Sequence, residues 1–193
     1  METKKLTNRQ KTLRLTESAL MIALSTVLSM VPITNLPFGG SVTMFSQLPI
    51  VIIAYRHGTK WGLFTGLCHG ILQMLLGFNN FSYVTGIAAV LILALCDYLI
   101  AFSCLGLGGI FRNKIKNRTV SLALGALLVS VIRFICHFIS GVTIWSGYAE
   151  GMSVWLYSLT YNSSYMVPEA LVTVIGAVLI AQVKPLFKQQ GDN

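Results

Sequence analysis

Charge is what this sequence has least of. Only 10% of its 193 residues are Asp, Glu, Lys or Arg, and just six are acidic. An ordinary soluble domain carries about 25%. A soluble globule of this length keeps too much surface to hide the 54% of its residues that are apolar. That excludes a soluble enzyme, and the same composition excludes a disordered chain. The four cysteines (Cys68, Cys96, Cys104, Cys136) form no CxxC pair and all lie in apolar stretches. They read as small buried thiols, not as the staples of a secreted domain. There is no GxxxxGK[ST] phosphate loop, so nucleotide is not hydrolysed by a P-loop mechanism. HExxH, GxSxG and multi-carboxylate metal motifs are missing too. No catalytic residue, metal or cofactor is expected.

Long apolar runs are what the sequence does have, with a mean hydropathy of +0.72. Six can be marked, at roughly 17–34, 42–55, 60–78, 83–109, 119–142 and 164–183. They are continuous, not alternating, which argues against a β-barrel. A span needs about 20 residues, so the second is short and the fourth is long. The fourth begins as a loop or a tilted helix near Asn79-Asn80. The first has no small-residue cleavage site and reads as a true span, not a signal peptide. The expected fold class is an all-α integral membrane protein of six transmembrane helices. It forms a single membrane domain, 1–193, with a basic arm (1–16), a six-helix bundle (17–183) and a tail (184–193).

The basic residues orient that bundle. The net charge is +8, and on a soluble protein that would point to nucleic acid. Here Lys and Arg sit between spans, in four groups: Lys4, Lys5, Arg9, Lys11 and Arg14; Arg56 and Lys60; Arg112, Lys114, Lys116 and Arg118; Lys184 and Lys188. Only Arg133 falls inside a span. Cytoplasmic loops collect such residues, so both termini are expected in the cytoplasm of a multi-pass cell-membrane protein. The outer loops are then 35–41, 79–82 and 143–163, which contain no Lys or Arg at all. The last carries Trp145, Tyr148, Trp155, Tyr157 and Tyr161, either an interfacial belt or part of a site.

Ionisable groups inside spans are expensive and therefore functional candidates. They are His69, Asp97, Arg133, His137 and Glu169. All but His69 fall in positions from which they can converge on a pocket opening outward. Arg133 and Glu169 read first as an ion pair between spans five and six. His69, in a glycine-rich helix, reads as a helix–helix hydrogen bond. Asp97 needs a cationic partner or a proton. It reads as a ligand carboxylate, with a structural pair to Arg133 or His137 as the alternative. A carboxylate beside Trp and Tyr faces suits a small, positively charged, ring-containing solute. Two stripes of small residues add Ala19 and Ala23 (AxxxA) and Gly62, Gly66 and Gly70. The glycines read as packing within the chain, and the alanines as packing or as a dock for a separate protein.

The stretch Arg133-Phe-Ile-Cys-His137-Phe-Ile-Ser-Gly141, then Trp145, then Tyr157-Ser-Leu-Thr-Tyr-Asn162-Ser-Ser-Tyr-Met166 resembles the thiamine-specific substrate-binding (S) subunits of energy-coupling factor transporters, the ThiT/YuaJ family. Asp97-Tyr98, Gly39-Gly40-Ser41 and the alanine step are also similar, and the likeness covers essentially the whole chain. It implies a subunit without ATPase activity that binds thiamine in an outward-facing pocket. Its partners would be a membrane-embedded T component and two cytoplasmic ABC-type ATPases, with lipid around it. On this resemblance Asp97 holds the aminopyrimidine, with His137, Asn162 and Tyr157 beside it. Trp145 stacks on the thiazolium, Tyr98 lines the pocket and Gly141 leaves room. Ala19 and Ala23 dock on the T component. The chain departs from the family pattern in having Asp97 where Glu is usual, and Phe38 but no Trp in the first outer loop. Rival readings are an S component for another vitamin or a thiamine precursor, and a proton-coupled secondary transporter.

Overall fold

The computed structural model describes residues 7–187. Lys4, Lys5 and Lys188 of the basic clusters lie outside them. Helix α1 (Asn8–Ser29) opens with a capping box, in which Thr7 and Gln10 satisfy each other's backbone N–H groups. Two short antiparallel strands follow, β1 (Pro32–Asn35) and β2 (Ser41–Thr43). The helices after them are α2 (Leu48–His57), α3 (Thr59–Leu76), α4 (Ile87–Gly109), α5 (Arg118–Thr143) and α6 (Val154–Ile180). Asn117 caps α5 and Ser153 caps α6. By length and composition α4, α5 and α6 are able to cross a membrane.

Helix α2 is too short to do so, at about 15 Å. It forms the centre of the protein: Ile50, Val51, Ile53 and Ala54 have no exposed surface. Leu105, Leu122, Val129 and Ala177 from α4, α5 and α6 close around it. That burial explains why the second apolar run is both short and unbroken. The glycine stripe of α3 packs within the chain, as its spacing implied. A Cβ at Gly66 would come within 2.6 Å of the Phe102 carbonyl, and one at Gly70 within 3.1 Å of the Tyr98 carbonyl. Helices α3 and α4 therefore touch backbone to backbone.

Several expected boundaries are corrected. The 35–41 loop is the tip of a β-hairpin, so the fold is not purely helical. The second segment, expected from residue 42, is helical only from Leu48, because Ser41–Thr43 pair with β1. The arm expected at 1–16 is already helical at Asn8. The largest correction concerns 143–163: α6 begins at Val154, ten residues before the apolar run. Its first turns are rich in Tyr, Ser and Asn, which lowers the hydropathy. Ser158 and Asn162 nevertheless face inward and are almost wholly buried.

Arg14, Arg56, Arg112 and Arg118 gather at one end of the bundle, where Arg14 lies over Trp61. Arg56 pairs with Glu17 at 2.7 Å, Arg112 donates to the carbonyls of Tyr55 and Arg56, and Arg118 donates to that of Ala181. The hairpin tip, the turn at Phe78–Tyr83 and Trp145 gather at the other end, where Phe38 packs on Tyr83 and on Trp145.

Candidate functional site

A cavity of about 550 Å³ lies between the hairpin and helices α1, α3, α4, α5 and α6. Small-molecule sites run from roughly 300 to 1,000 Å³. Asp97, Tyr98, His137, Gly141, Trp145, Tyr157 and Asn162 all line it. They come from α4, α5, α6 and the turn after α5.

Asp97 and Tyr98 are adjacent, yet both face the cavity. They lie in a π-helical stretch, Leu93–Leu99, within α4. Such a wide turn re-aims side chains and is often found at functional positions. The Asp97 carboxylate accepts three hydrogen bonds: from His137 Nδ1 (3.1 Å), Ser140 Oγ (2.8 Å) and the Trp145 indole (3.2 Å). The pairing with His137 is one of the two open readings of this residue. A carboxylate only accepts, so Nδ1 carries the proton and a neutral ring leaves Nε2 as an acceptor. That Nε2 is buried with no partner among the described residues. Asp97 and His137 together therefore offer acceptors suited to an amino-substituted ring.

The remaining lining residues are held more firmly. Tyr98 donates to the Gly77 carbonyl and accepts from Asn80. Asn162 donates to Ser158 and to the His137 carbonyl, and accepts from Tyr165. A Cβ at Gly141 would collide with the Ser158 hydroxyl and sit 3.1 Å from Asn162 Nδ2. Gly141 thus lets α5 and α6 approach, besides bordering the cavity. Tyr157 stacks on Tyr161, at 5.9 Å between ring centroids. Trp155 points away, 62% exposed, as expected of a residue in an interfacial belt.

The expected ion pair between Arg133 and Glu169 is not formed. Glu169 accepts instead from Thr43 N (2.5 Å), Thr43 Oγ1 (2.7 Å), Gln47 Nε2 (3.1 Å) and Ser46 Oγ (3.3 Å). These donors come from the last residue of β2 and the turn that leads into α2, and together they satisfy the carboxylate without the guanidinium. Arg133 lies over Phe102, with its charge centre 4.7 Å from the ring. His69 does join two helices, meeting Ser25 of α1 at 3.1 Å.

Sequence reasoning did not assign the hairpin. Phe38 sits at its tip in left-handed backbone (φ 63°). Its ring lies 4.3 Å from that of Tyr148 and 5.5 Å from that of Trp145. It covers the Trp145 side of the cavity. Tyr161 anchors the same hairpin, donating to the Pro37 carbonyl and accepting from Gly40 N. The Gly39-Gly40 pair beside Phe38 was the available signal, because a tight turn needs such residues.

Apolar helices around a cavity with carboxylate, imidazole and aromatic walls define a membrane protein that holds a small solute. The comparisons make this specific: the chain belongs to the thiamine transporter family, whose model (Thia_YuaJ, thiamine transporter protein) matches residues 15–188. It is 37% identical over 191 residues to the thiamine transporter ThiT of Bacillus subtilis strain 168, covering 92% of this chain and 95% of that one. It is 28% identical over 183 residues to ThiT of Lacticaseibacillus paracasei, covering 89% and 88%. A solved structure of ThiT from Listeria monocytogenes matches with a TM-score of 0.75 at 25% identity, over 92% of this chain and 98% of that one. The resemblance read from the Arg133–Met166 stretch is thus confirmed as family membership.

Proposed function

We propose that this chain is the thiamine-binding S component of an energy-coupling factor transporter, a single six-span membrane domain with both termini in the cytoplasm. It binds and releases without making or breaking a bond. The observation that carries the reading is the convergence of seven residues from four parts of the chain on one cavity, in a member of the thiamine transporter family. Asp97 and the free Nε2 of His137 accept hydrogen bonds from the aminopyrimidine. Trp145 provides an aromatic face for the thiazolium, and the Asp97 charge beside it offsets the positive ring. Tyr157 and Phe38 close over the ligand, while Tyr98, Asn162 and Gly141 shape the wall.

The gathering of basic side chains at the far end supports a cavity that opens outward. Ala19 and Ala23 are exposed on α1, whereas Ser18 and Ser25 of the same helix are buried. That inverted arrangement fits a small-residue face that docks on a membrane-embedded T component, which couples to two cytoplasmic ABC-type ATPases. The proton-coupled alternative is weakened at Glu169, whose oxygens accept from four donors and are left no role for a proton.

Equilibrium dialysis of labelled thiamine against the purified chain tests the ligand, and retention is expected at stoichiometry near one. Lack of retention by folded, monodisperse protein would remove the proposal. Uptake into vesicles holding the chain alone, driven by a pH gradient, would instead favour the self-sufficient transporter.

A further inference from the structure

Arginines meet at the basic end of the bundle, and the fold satisfies three of them. Arg56 pairs with Glu17, Arg112 donates to two carbonyls at the end of α2, and Arg118 donates to the Ala181 carbonyl. Arg14 is different. Among the described residues no hydrogen bond or ion pair reaches its guanidinium, and its Nε is buried without a partner. Its described contact is the face of Trp61, 3.8 Å from its charge centre. A guanidinium keeps its proton and carries five N–H donors, so donors left without an acceptor in a half-buried place are costly.

The platform under Arg14 is built, not incidental. The Trp61 indole donates to Ser18 Oγ at 2.8 Å, and Ser18 donates in turn to the Arg14 carbonyl at 2.8 Å. Ring and guanidinium are thus held as a stack between α1 and α3. Two exposed lysines flank it: Lys60 precedes Trp61, and Lys11 lies one turn before Arg14. Beyond Trp61 an apolar stripe runs along the outside of α3. It starts at Phe64, whose ring lies 5.5 Å from that of Trp61, and continues through Leu67 and Ile71. All three are exposed, Phe64 by 53%. Cationic donors therefore stand at the head of an apolar, outward-facing track. The molecule that satisfies both is an anion with an apolar tail.

We infer that Arg14, with Lys11 and Lys60, forms a site for the headgroup of an anionic phospholipid, whose acyl chain lies along Phe64, Leu67 and Ile71. The guanidinium, kept flat by Trp61, donates to the phosphate oxygens. A zwitterionic lipid offers the same phosphate, but its ammonium group enters a neighbourhood of like charge. The aromatic face that would receive that group is already taken by Arg14. The site selects by net charge, and nothing in it depends on which solute the cavity holds.

The test measures lipid binding to the purified full chain in detergent by native mass spectrometry. The probes are phosphatidylglycerol and phosphatidylcholine with identical acyl chains. Both carry a phosphodiester, so net charge is what separates them. The wild type is expected to prefer phosphatidylglycerol by about tenfold, and Arg14→Gln should lose about fivefold of that preference. Arg14→Lys, which keeps the charge without the planar fork, should fall between them. Lys114→Gln, an exposed charge in another loop, should keep the full preference. Soluble glycerol phosphate should not displace the lipid. Equal binding of the two lipids to the wild type would overturn the inference, and so would an undiminished preference in Arg14→Gln. An equal loss in Lys114→Gln would mean diffuse attraction in place of a site and would overturn it too. Displacement by glycerol phosphate would assign the donors to a free phosphate and remove the lipid.

Discussion

Asp97 and Glu169 are both carboxylates sunk in the bundle, and both line the same cavity, but they are held in different ways. Glu169 is 5% exposed and accepts from donors that all lie between Thr43 and Gln47. It ties α6 to the chain joining the hairpin to α2, and its hydrogen-bonding capacity is filled by the fold. Asp97 accepts from His137, Ser140 and Trp145, two of which are themselves lining residues. The first arrangement is a clamp. The second, on the proposed reading, is a recognition group, and its neighbour His137 keeps an Nε2 without a partner among the described residues. A buried charge thus reads as structural when the backbone and local side chains saturate it. It reads as functional when its partners face an open space.

That contrast can be broken first at Glu169. Glu169→Ala leaves the Thr43 N–H, its hydroxyl and the Gln47 amide without their acceptor. At roughly 1.5–3 kcal/mol for each hydrogen bond to a charged group, the combined loss should be of order 3–5 kcal/mol after partial relaxation. A large drop in the melting temperature of the detergent-solubilised protein is expected, with or without ligand. A melt within a degree or two of wild type would deny the clamp. At Asp97 the balance should invert. Asp97→Asn keeps the side-chain shape and removes the charge, so thiamine affinity should fall by about a hundredfold, or some 3 kcal/mol. The melt of the ligand-free protein should move little. Calorimetric titration decides, and an undiminished affinity would remove Asp97 from the site.

Smaller effects sharpen the picture around Asp97. Gly141→Ala drives a methyl into Ser158 and crowds Asn162, which overpacks α5 against α6 at a cost of about 1–3 kcal/mol. Melting temperature and affinity should decline together, whereas unchanged affinity would make Gly141 a packing residue only. Phe38→Ala removes ring contacts with Trp145 and Tyr148, each worth about 0.5–1.5 kcal/mol. Ligand release should speed up several-fold in stopped-flow measurements with little change in association. An unaltered release rate would leave the hairpin tip outside the closure. The smallest effect on binding, none, is expected of Ala19→Trp and Ala23→Trp, which lie on the exposed face of α1. With the proposed T component and ATPases present, the same variants should abolish thiamine uptake.

Much of this was legible in the sequence, for identifiable reasons. Hydropathy marked α4 and α5 closely, because those helices are apolar on nearly every face. It missed the start of α6, because Ser158 and Asn162 are polar residues turned inward, and an average over a window cannot register direction. It also missed the hairpin, since strands of four and three residues leave no measurable alternation. The residues lining the cavity were readable because charge and aromaticity are conspicuous against a membrane background. The partnerships between them were not. Whether Arg133 meets Glu169 depends on where the Thr43–Gln47 segment folds, and that segment is distant from both in the chain. The π-helical turn that aims Asp97 and Tyr98 at one space has no signature in the residues themselves.

The claim on which the rest depends is that Asp97 and Trp145 form the wall that receives a cationic ring. A fluorescence titration with thiamine, run in parallel on the wild type and on Trp145→Phe, addresses it most directly, because Trp61 and Trp155 remain as internal references. The account predicts saturable quenching at submicromolar thiamine in the wild type, and loss of most of that quench in Trp145→Phe. No quench in folded wild-type protein, or an equal quench in Trp145→Phe, would contradict it.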